Sequence, residues 1–446
     1  SLMLVRHGAV AAEGWWAPYD AQTPHLLYSL SKSFVSLAAG FAEHEGLLGL
    51  DDRLVERFAD LAPPVVDGRV GRITLEHCLR MATGHADDPV LPVIRRCGPG
   101  GPSDWLTAFL DLPPEFEPGT IFAYNQLATY AVARAVERAS GGTLLDYLTP
   151  RLFEPLGVGP VGWRTDHLGH NWGFSGLHLT TEAIAAFGQL LLGDGVWNGK
   201  RLVPPGWVAR ATTAHTANDA ENRRTTDFEP DWSDWLSGYG YQFWRSRHGY
   251  RGDGAYGQFC LVLPDHDAVL ALTSTTTRMQ TLLDLVWQHL LPGLVEPHED
   301  APGDDALARR LQGLAIASPA DDRRGSPGRF DRAGKGGPPA LTSITLRAGA
   351  SDYDLALDVG GEGEMPVGSG HWLPGNWPGE PDLPVMSAGG WQDGRFVADL
   401  RFIRTPHLLR LTLDPPTGTF RTAWREPPLH GSDPTTMATP MQHVGT

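Results

Sequence analysis

Leu27-Tyr28-Ser29-Leu30-Ser31-Lys32-Ser33-Phe34 leads into a segment whose apolar residues keep helical spacing to about residue 47. Ser29 is therefore predicted at a helix N-terminus, where free backbone N–H groups favour developing negative charge. Lys32 follows one helical turn later and lies on the same face. Because a serine hydroxyl is a weak nucleophile near neutral pH, a neighbouring amine indicates covalent catalysis by Ser29.

The bulk composition of the 446-residue chain is that of an ordinary folded protein, with 41% hydrophobic and 20% charged residues. This length is enough for two domains. The formal net charge of -16 argues against nucleic acid or an anionic membrane as partner, because clustered Lys and Arg bind such surfaces. A small molecule or a peptide is the predicted substrate, and the oligomeric state stays open.

Three cysteines, Cys78, Cys97 and Cys260, are too widely spaced for a disulfide framework or a metal knuckle, and we expect free, packed thiols. We expect no transmembrane segment, because no run of about 18 apolar residues exists. The chain opens directly on the strand-like run Leu2-Met3-Leu4-Val5, without a signal-peptide pattern. We therefore favour a cytoplasmic protein, while an export signal ahead of residue 1 stays open.

Strand patterns occur at both ends of the first 296 residues, with helical patterns between them. Residues 2–5 and 9–16 are predicted to form a hairpin, and so are Gln258–Leu263 and Ala268–Thr273. Tyr239–Trp244 is predicted as a further strand. Helices are predicted over Thr74–Met81, Ser103–Leu110, Leu127–Arg138, Thr180–Leu192, Pro205–Thr213 and Met279–Leu291. This order favours an α+β fold, with an antiparallel sheet beside an inserted helical region.

The first turn has an alternative interpretation. Val5-Arg6-His7-Gly8 resembles the strand-then-RHG signature of histidine phosphatases, in which the His takes up a phosphoryl group and the Arg binds it. Phosphoryl transfer at Arg6-His7-Gly8 is therefore a second hypothesis. Residues 9–16 look like a returning strand rather than that family's polar loop, which favours a simple hairpin turn.

Composition changes near residue 297. Residues 297–339 are rich in Pro, Gly, Asp and Arg and are predicted to be a linker between a domain at 1–296 and a second one at 340–446. Short alternating segments then recur at Ser343–Arg347, Tyr353–Val359, Arg395–Phe402, Leu408–Leu413 and Thr419–Trp424. They predict a small β-rich domain, sandwich-like or lipocalin-like.

Three motifs in one order resemble the serine β-lactamase and penicillin-binding-protein superfamily, above all class C β-lactamases and the esterases and peptidases grouped with them. They are Ser29-Leu30-Ser31-Lys32, Tyr124 about 95 residues after Ser29, and Gly252-Asp253-Gly254 ahead of the strand Gln258–Leu263. The resemblance covers about residues 2 to 292. It implies that superfamily's fold, an antiparallel sheet flanked by helices.

The resemblance also implies roles for the matching residues. Ser29 would be the acylated nucleophile, Lys32 would assist proton transfer with a lowered pKa, and Tyr124 would be a general base or proton shuttle. The oxyanion would be held by the backbone N–H groups of Ser29 and of a residue near Ala255. No metal or organic cofactor is implied.

The second motif departs from the family's usual Tyr-x-Asn, since this chain has Tyr124-Asn125-Gln126. Either amide, that of Gln126 or that of Asn125, is a candidate for hydrogen bonding the substrate.

The third motif has Gly252 where the family usually has a basic residue, followed by Asp253 and Gly254. Arg251 and His248 are close enough in sequence to substitute for it. A missing cation weakens recognition of the carboxylate on β-lactams and D-Ala-D-Ala peptides.

We therefore expect a serine hydrolase for an ester or amide, either an esterase or a D-amino-acid-type peptidase, and a weak β-lactamase at most. A binding or regulatory member of the fold with reduced catalysis is the main alternative, motivated by Gly252 and Gln126. His85, Asp87 and Asp88 are interpreted as a solvated loop rather than a metal site. Trp15, Trp16, Trp172 and Trp244 are candidates for an aromatic acyl pocket, against the simpler interpretation of core packing.

Overall fold

A computed structural model of the chain describes residues 1–97, 104–218, 233–294, 303–322, 325–379, 383–429, 431 and 433–442. The strands before residue 295 are β1 (Leu2–Arg6), β2 (Ala9–Gly14), β3 (His25–Leu26), β4 (Gly162–Trp163), β5 (Leu177–Leu179), β6 (Val196–Trp197), β7 (Lys200–Arg201), β8 (Trp244–Arg245), β9 (Tyr250–Gly254), β10 (Gln258–Leu263) and β11 (Ala268–Leu272). The helices are α1 (Ser31–His44), α2 (Leu54–Arg57), α3 (Leu75–Leu79), α4 (Val90–Arg96), α5 (Trp105–Leu110), α6 (Gln126–Ser140), α7 (Leu144–Leu148), α8 (Glu154–Leu156), α9 (Thr181–Leu192), α10 (Trp207–Thr212), α11 (Met279–Leu285) and α12 (Asp304–Gln312).

The main sheet is antiparallel and joins strands from the two ends of this region in the order β2-β1-β11-β10-β9-β8. Both predicted hairpins are confirmed: β1 pairs with β2, and β10 with β11. Helix α9 packs on β10 and β11, and it meets α1 where the rings of Phe34 and Phe187 stack 4.0 Å apart. The predicted α+β fold is confirmed, with the helical region inserted between β2 and β8.

The first hairpin turns at His7 and Gly8, whose φ angles are 51° and 74°. Two residues with positive φ give a turn that matches the right-handed twist of the paired strands. The His7 side chain is largely exposed, and its Nδ1 lies 2.8 Å from a carboxylate oxygen of Asp267 in the neighbouring hairpin. Arg6 donates to the carbonyl of Leu294. These contacts agree with a structural turn.

The predicted strand Tyr239–Trp244 is wrong in extent, because only Trp244–Arg245 forms β8. The backbone turns back between Gly240 and Phe243, whose N–H and C=O groups are bonded at 2.8 Å, and Gln242 has a φ of 66°. The strand that borders β10 is instead β9, which contains Gly252 and Gly254. Glycine has a low strand propensity, so the sequence pattern did not indicate β9.

The C-terminal region is a closed β-barrel. Its strands are β12 (Gly328–Arg332), β13 (Ser343–Ala348), β14 (Tyr353–Asp358), β15 (Glu362–Ser369), β16 (Leu373–Asn376), β17 (Pro384–Gln392), β18 (Arg395–Phe402), β19 (Leu408–Asp414) and β20 (Thr419–Trp424). The order is β15-β14-β13-β12-β20-β19-β18-β17, and a further pairing of β15 with β17 closes the ring. Of the two predicted architectures, the closed ring agrees with the lipocalin-like barrel and not with the sandwich.

The predicted linker at 297–339 contains secondary structure where it is described. Helix α12 occupies Asp304–Gln312. Strand β12 is one of the barrel strands, because it pairs with both β13 and β20. The barrel therefore starts before residue 340. The proposed division of the chain into two domains stays a prediction.

Three general expectations can also be compared with the structure. Cys78, Cys97 and Cys260 are buried free thiols, as predicted. Throughout the described ranges, no helix combines the length and apolarity needed to cross a membrane. Within the same ranges, no cluster of three or more His, Cys, Asp or Glu side chains is arranged to hold a metal ion.

Candidate active site

Ser29 lies in a 3-10 turn, Tyr28–Leu30, that leads directly into α1. From Pro24 to Ala42 every residue is buried except Ser29, which is partly exposed. The predicted position at a helix N-terminus is confirmed. Ser29 is thus the one residue of this buried segment that solvent reaches.

Lys32 lies beside this hydroxyl. Its Nζ is 3.1 Å from Ser29 Oγ, 2.5 Å from Gln126 Oε1 and 2.9 Å from the carbonyl oxygen of Phe174. The side chain is 1% exposed. Burial lowers the pKa of Lys32 to about 7, although the carboxylates of Asp88 and Asp253 oppose the shift. A substantial share of the amine is therefore uncharged near neutral pH and able to accept a proton.

Tyr124 completes a group of three with Ser29 and Lys32. Its ring centroid is 4.7 Å from Lys32 Nζ, and its other side stacks on Trp244 with centroids 5.4 Å apart. Burial raises the pKa of Tyr124 above its usual range, although a hydrogen bond with Ser29 acts in the opposite direction. The phenol is therefore protonated near neutral pH. The structure brings the three predicted catalytic residues together.

The two amides that follow Tyr124 have different positions. Asn125 is fully buried and caps α6: its side chain accepts from the Ala128 N–H at 3.1 Å and donates to Thr83 Oγ1. Gln126 is partly exposed and accepts from Lys32. Of the two, Gln126 faces the reacting group, whereas Asn125 is occupied as a helix cap.

Asp88 is a residue near the site that the sequence interpretation missed. Its Oδ1 accepts from the backbone N–H of Gln126 at 3.2 Å, at the N-terminus of α6. Burial raises the pKa of Asp88 to about 6, and Lys32 opposes that shift. A carboxylate is favoured at a helix N-terminus, but 38 residues separate Asp88 from Gln126 in the chain. Its position therefore depends on the tertiary fold.

The predicted solvated loop is wrong at His85, whereas Asp87 is exposed and Asp88 is partly exposed. His85 is 2% exposed, and its two ring nitrogens lie 3.0 Å from Thr83 Oγ1 and 3.1 Å from the carbonyl oxygen of Leu112. These hydrogen bonds satisfy the ring and hold the loop against the domain core.

Strand β9 packs directly on the turn that contains Ser29, and its glycines are required for this approach. A Cβ atom at Gly252 would lie 2.2 Å from Leu30 Cδ1, and one at Gly254 would lie 2.0 Å from the carbonyl oxygen of Leu27. At Gly254 the obstacle is backbone, and at Gly252 it is the Leu30 side chain, so a side chain at either position would require neighbouring atoms to move.

Arg251 and Asp253 project to the other face of β9 and pair with each other. The Arg251 Nε donates to Asp253 at 2.8 Å, and the guanidinium also bonds the Arg245 carbonyl and the Ser246 hydroxyl. Burial raises the pKa of Asp253 to about 6 despite this partner. Arg251 is therefore fully buried, with Nε and Nη1 in this network, whereas its Nη2 has no hydrogen-bond partner among the described residues.

His248, the second substitute considered, lies in the turn between β8 and β9. Its ring packs on Trp287 with centroids 5.1 Å apart. The structure thus places His248 at Trp287 and not in the group formed by Ser29, Lys32 and Tyr124.

Two backbone N–H groups are free beside the nucleophile. Among the described residues, neither the N–H of Ser29 nor that of Ala255 has a hydrogen-bond acceptor. The close approach of Gly254 to Leu27 brings the two segments that carry these groups together. Two free N–H donors on adjoining segments are what the binding of a developing oxyanion requires.

Two of the four candidate pocket tryptophans adjoin the catalytic group. Trp244 stacks on Tyr124, and Trp172 stacks on Phe174, whose ring centroid is 5.8 Å from Lys32 Nζ. Trp15 packs against the core, and Trp16 lines a separate cavity with His25 and Leu282.

Comparisons with known proteins agree with this geometry. The family described as Beta-lactamase matches residues 1–290. A 6-aminohexanoate-dimer hydrolase from Paenarthrobacter ureafaciens is 26% identical over 290 residues, which is 62% of this chain and 72% of that protein. A lovastatin esterase from Penicillium rubens is 31% identical over 157 residues, covering 31% of this chain and only 39% of the esterase.

A solved structure, that of SurE with D-Leu, extends the likeness of fold beyond the family match. It has 20% sequence identity and a TM-score of 0.50, and the superposition covers 90% of this chain and 93% of that one. The similar region therefore includes much of the C-terminal part. Because the family match spans well over half of the residues, this chain belongs to the Beta-lactamase family and is a serine hydrolase.

Proposed function

We propose that the protein hydrolyses an ester or amide through an acyl-enzyme on Ser29. The observation that carries this proposal is the buried Lys32 amine, 3.1 Å from Ser29 Oγ and with its pKa lowered to about 7. An uncharged amine at hydrogen-bond distance is the base that a serine nucleophile needs.

Acylation uses all three residues. Ser29 Oγ attacks the substrate carbonyl carbon while the neutral Lys32 amine accepts the hydroxyl proton. The N–H groups of Ser29 and Ala255 bind the oxyanion of the tetrahedral intermediate. As this intermediate collapses, Tyr124 donates its proton to the leaving alcohol or amine and takes one back from Lys32. The products are an acyl ester on Ser29 and a neutral leaving group.

Deacylation reverses these roles. Water attacks the acyl carbon and gives its proton to Lys32 by way of Tyr124. Collapse of the second intermediate breaks the bond to Ser29 Oγ, which recovers a proton, and the carboxylic acid leaves. Gln126, bonded to Lys32 and placed by Asp88, keeps the amine directed at the hydroxyl.

The substrate class follows from the third motif. Gly252 provides no cation, and Arg251 is fully buried with its Nε paired to Asp253. An ester or amide without a carboxylate next to the scissile bond therefore fits better than a β-lactam. The relatives named as a 6-aminohexanoate-dimer hydrolase and as a lovastatin esterase support the same choice.

A substrate panel tests this proposal. p-Nitrophenyl esters of increasing acyl length, D-amino-acid p-nitroanilides and a chromogenic cephalosporin are assayed with the wild type, Ser29→Ala and Ser36→Ala. Ser36 is the matched control, because it lies on α1 and its buried hydroxyl has no partner among the described residues.

The expected result is turnover of an ester or amide that falls at least about a thousandfold in Ser29→Ala and is unchanged in Ser36→Ala, with slow or absent cephalosporin hydrolysis. Turnover that survives in Ser29→Ala would contradict the proposal. A wild type that binds these compounds but turns none over would favour the binding-protein alternative.

A further inference from the structure

A buried histidine of the C-terminal barrel contacts the catalytic region. His407 is the last residue of the short connection between β18 and β19, is fully buried, and contacts the rings of both Tyr28 and Tyr256. The ring centroid of His407 lies 5.9 Å from that of Tyr28 and 5.4 Å from that of Tyr256. The His407 ring plane is nearly perpendicular to both tyrosine rings. The two tyrosines also contact each other at 5.5 Å.

These two tyrosines are the sequence neighbours of the proposed oxyanion donors. Tyr28 directly precedes Ser29, and Tyr256 directly follows Ala255. Both have positive φ angles, 49° for Tyr28 and 66° for Tyr256. A non-glycine residue adopts this conformation only where the surrounding structure holds it there.

Hydrogen bonds from the barrel supply that support. The Nδ1 of His407 lies 2.8 Å from the carbonyl oxygen of Glu426, which can only accept, so Nδ1 bears the proton. The Nε2 therefore accepts from the Tyr28 hydroxyl at 2.6 Å. Burial lowers the pKa of His407 to about 4, so this arrangement persists at neutral pH. The Tyr256 hydroxyl donates to the carbonyl of Pro427.

The strand that leads to Ser29 is held by the same part of the barrel. The N–H of Leu26 donates to the carbonyl oxygen of Arg404 at 2.8 Å, within the connection that precedes His407. Leu26, Tyr28 and Tyr256 form one small apolar cluster against Ala255. Both proposed oxyanion donors are thus flanked by residues that the barrel fixes.

We infer that His407 is a positioning residue for catalysis: by bonding Tyr28 and packing on Tyr256, it sets the geometry of the oxyanion hole formed by Ser29 and Ala255. The inference rests on the proposed function of Ser29. The barrel would then contribute to the reaction, because it supports the backbone of Ser29 and Ala255 although it comes from a later part of the chain. Oxyanion donors must be placed to within a fraction of an ångström, because they act on the transition state and not on the bound substrate.

Four full-length variants test this inference. His407→Phe keeps a ring and removes both hydrogen bonds, while His407→Gln retains an acceptor near the position of Nε2. Tyr28→Phe removes only the donor. Phe396→Leu is the control for barrel stability, because Phe396 is buried in the barrel core near the opposite end of β18. Each variant is measured for kcat, KM, melting temperature and the inhibition constant of phenylboronic acid, which binds serine hydrolases as a tetrahedral adduct.

We expect kcat to fall about tenfold to a hundredfold in His407→Phe and Tyr28→Phe, with KM changed less than about threefold, since loss of one oxyanion donor costs about 10²–10³ in kcat. The boronic acid should bind more weakly by a similar factor. His407→Gln should recover part of the rate, and a fifth variant that combines His407→Phe with Tyr28→Phe should be no slower than the slower of those two single variants.

Wild-type kcat and boronate affinity in His407→Phe would overturn the inference, as would an equal loss of kcat in Phe396→Leu. Failure of the proposed function gives a different result, namely activity that persists in Ser29→Ala whatever happens at His407.

Discussion

At the scale of single residues, the proposed acylation of Ser29 depends on an uncharged Lys32. Below pH 7 its ammonium form has no lone pair for the Ser29 proton, and above pH 7 the amine has one. We therefore expect kcat/KM to rise with pH around an apparent midpoint of about 7 and then to level off. A profile that is flat from about pH 5.5 to pH 8 would contradict this role. Lys32→Arg, which cannot deprotonate, should be inactive across the whole range.

Asp88 should move that midpoint. Its carboxylate raises the pKa of Lys32, so Asp88→Asn should lower the pKa of the amine and shift the rising limb of the pH profile to lower pH. Asp87→Asn is the matched control, since Asp87 is the exposed neighbour. The measurement is the pH dependence of kcat/KM for the three proteins. An unshifted limb in Asp88→Asn, or an equal shift in Asp87→Asn, would exclude the electrostatic coupling.

How far the sequence predicts the site depends on how local each contact is. Ser29 and Lys32 are one helical turn apart, so their spacing alone indicates the pair. Tyr124 was identified only through a family resemblance, and Asp88 and His407 were missed. Asp88 meets Gln126 across 38 residues and His407 meets Tyr28 across 379. No periodic pattern encodes contacts of that range.

At the scale of elements, β9 lies against the turn that contains Ser29 because Gly252 and Gly254 have no side chains. We predict that Gly254→Ala lowers the free energy of unfolding by about 1–3 kcal/mol, the usual cost of overpacking. It should also lower kcat, because a Cβ atom 2.0 Å from the Leu27 carbonyl oxygen would displace Ala255. Urea unfolding and steady-state kinetics measure the two effects.

Gly303→Ala is the control for this substitution. Its Cβ would meet no atom within 4 Å, and its φ is -100°. The control should keep wild-type stability and rate. If Gly254→Ala behaves in the same way, the strand does not need the close approach.

Elements with strong local signals were predictable, and glycine-rich ones were not. α3, α6 and α9 begin directly after the capping residues Thr74, Asn125 and Thr180. By contrast, β15, β16 and β17 were missed, because each contains both Gly and Pro. In β17, a Cβ atom at Gly390 would lie 2.4 Å from Asp321. Close packing against Asp321 therefore accounts for this glycine, and strand propensity does not.

At the scale of the whole molecule, we propose that the barrel is a second domain that limits which substrates reach Ser29. Because β12 already belongs to the barrel, a clean deletion removes residues 325–446 and not only those after 340. It uncovers Tyr28 and Tyr256, which the barrel buries. We predict a lower overall rate and a changed preference among esters of different acyl length.

The measurement for this prediction is the ratio of kcat/KM between short and long p-nitrophenyl esters in the full and shortened proteins. Circular dichroism confirms that the remaining residues fold. A soluble, folded truncation with the same ratio as the full chain would contradict the proposed role of the barrel.

Acylation of Ser29 is tested most directly by the site of covalent labelling by a fluorophosphonate, read by mass spectrometry of the intact chain and of its peptides. We predict one adduct per chain, on the peptide that contains Ser29, which is lost in Ser29→Ala and retained in Ser36→Ala. An adduct that persists in Ser29→Ala, or a catalytically active wild type that takes up no label, would contradict it.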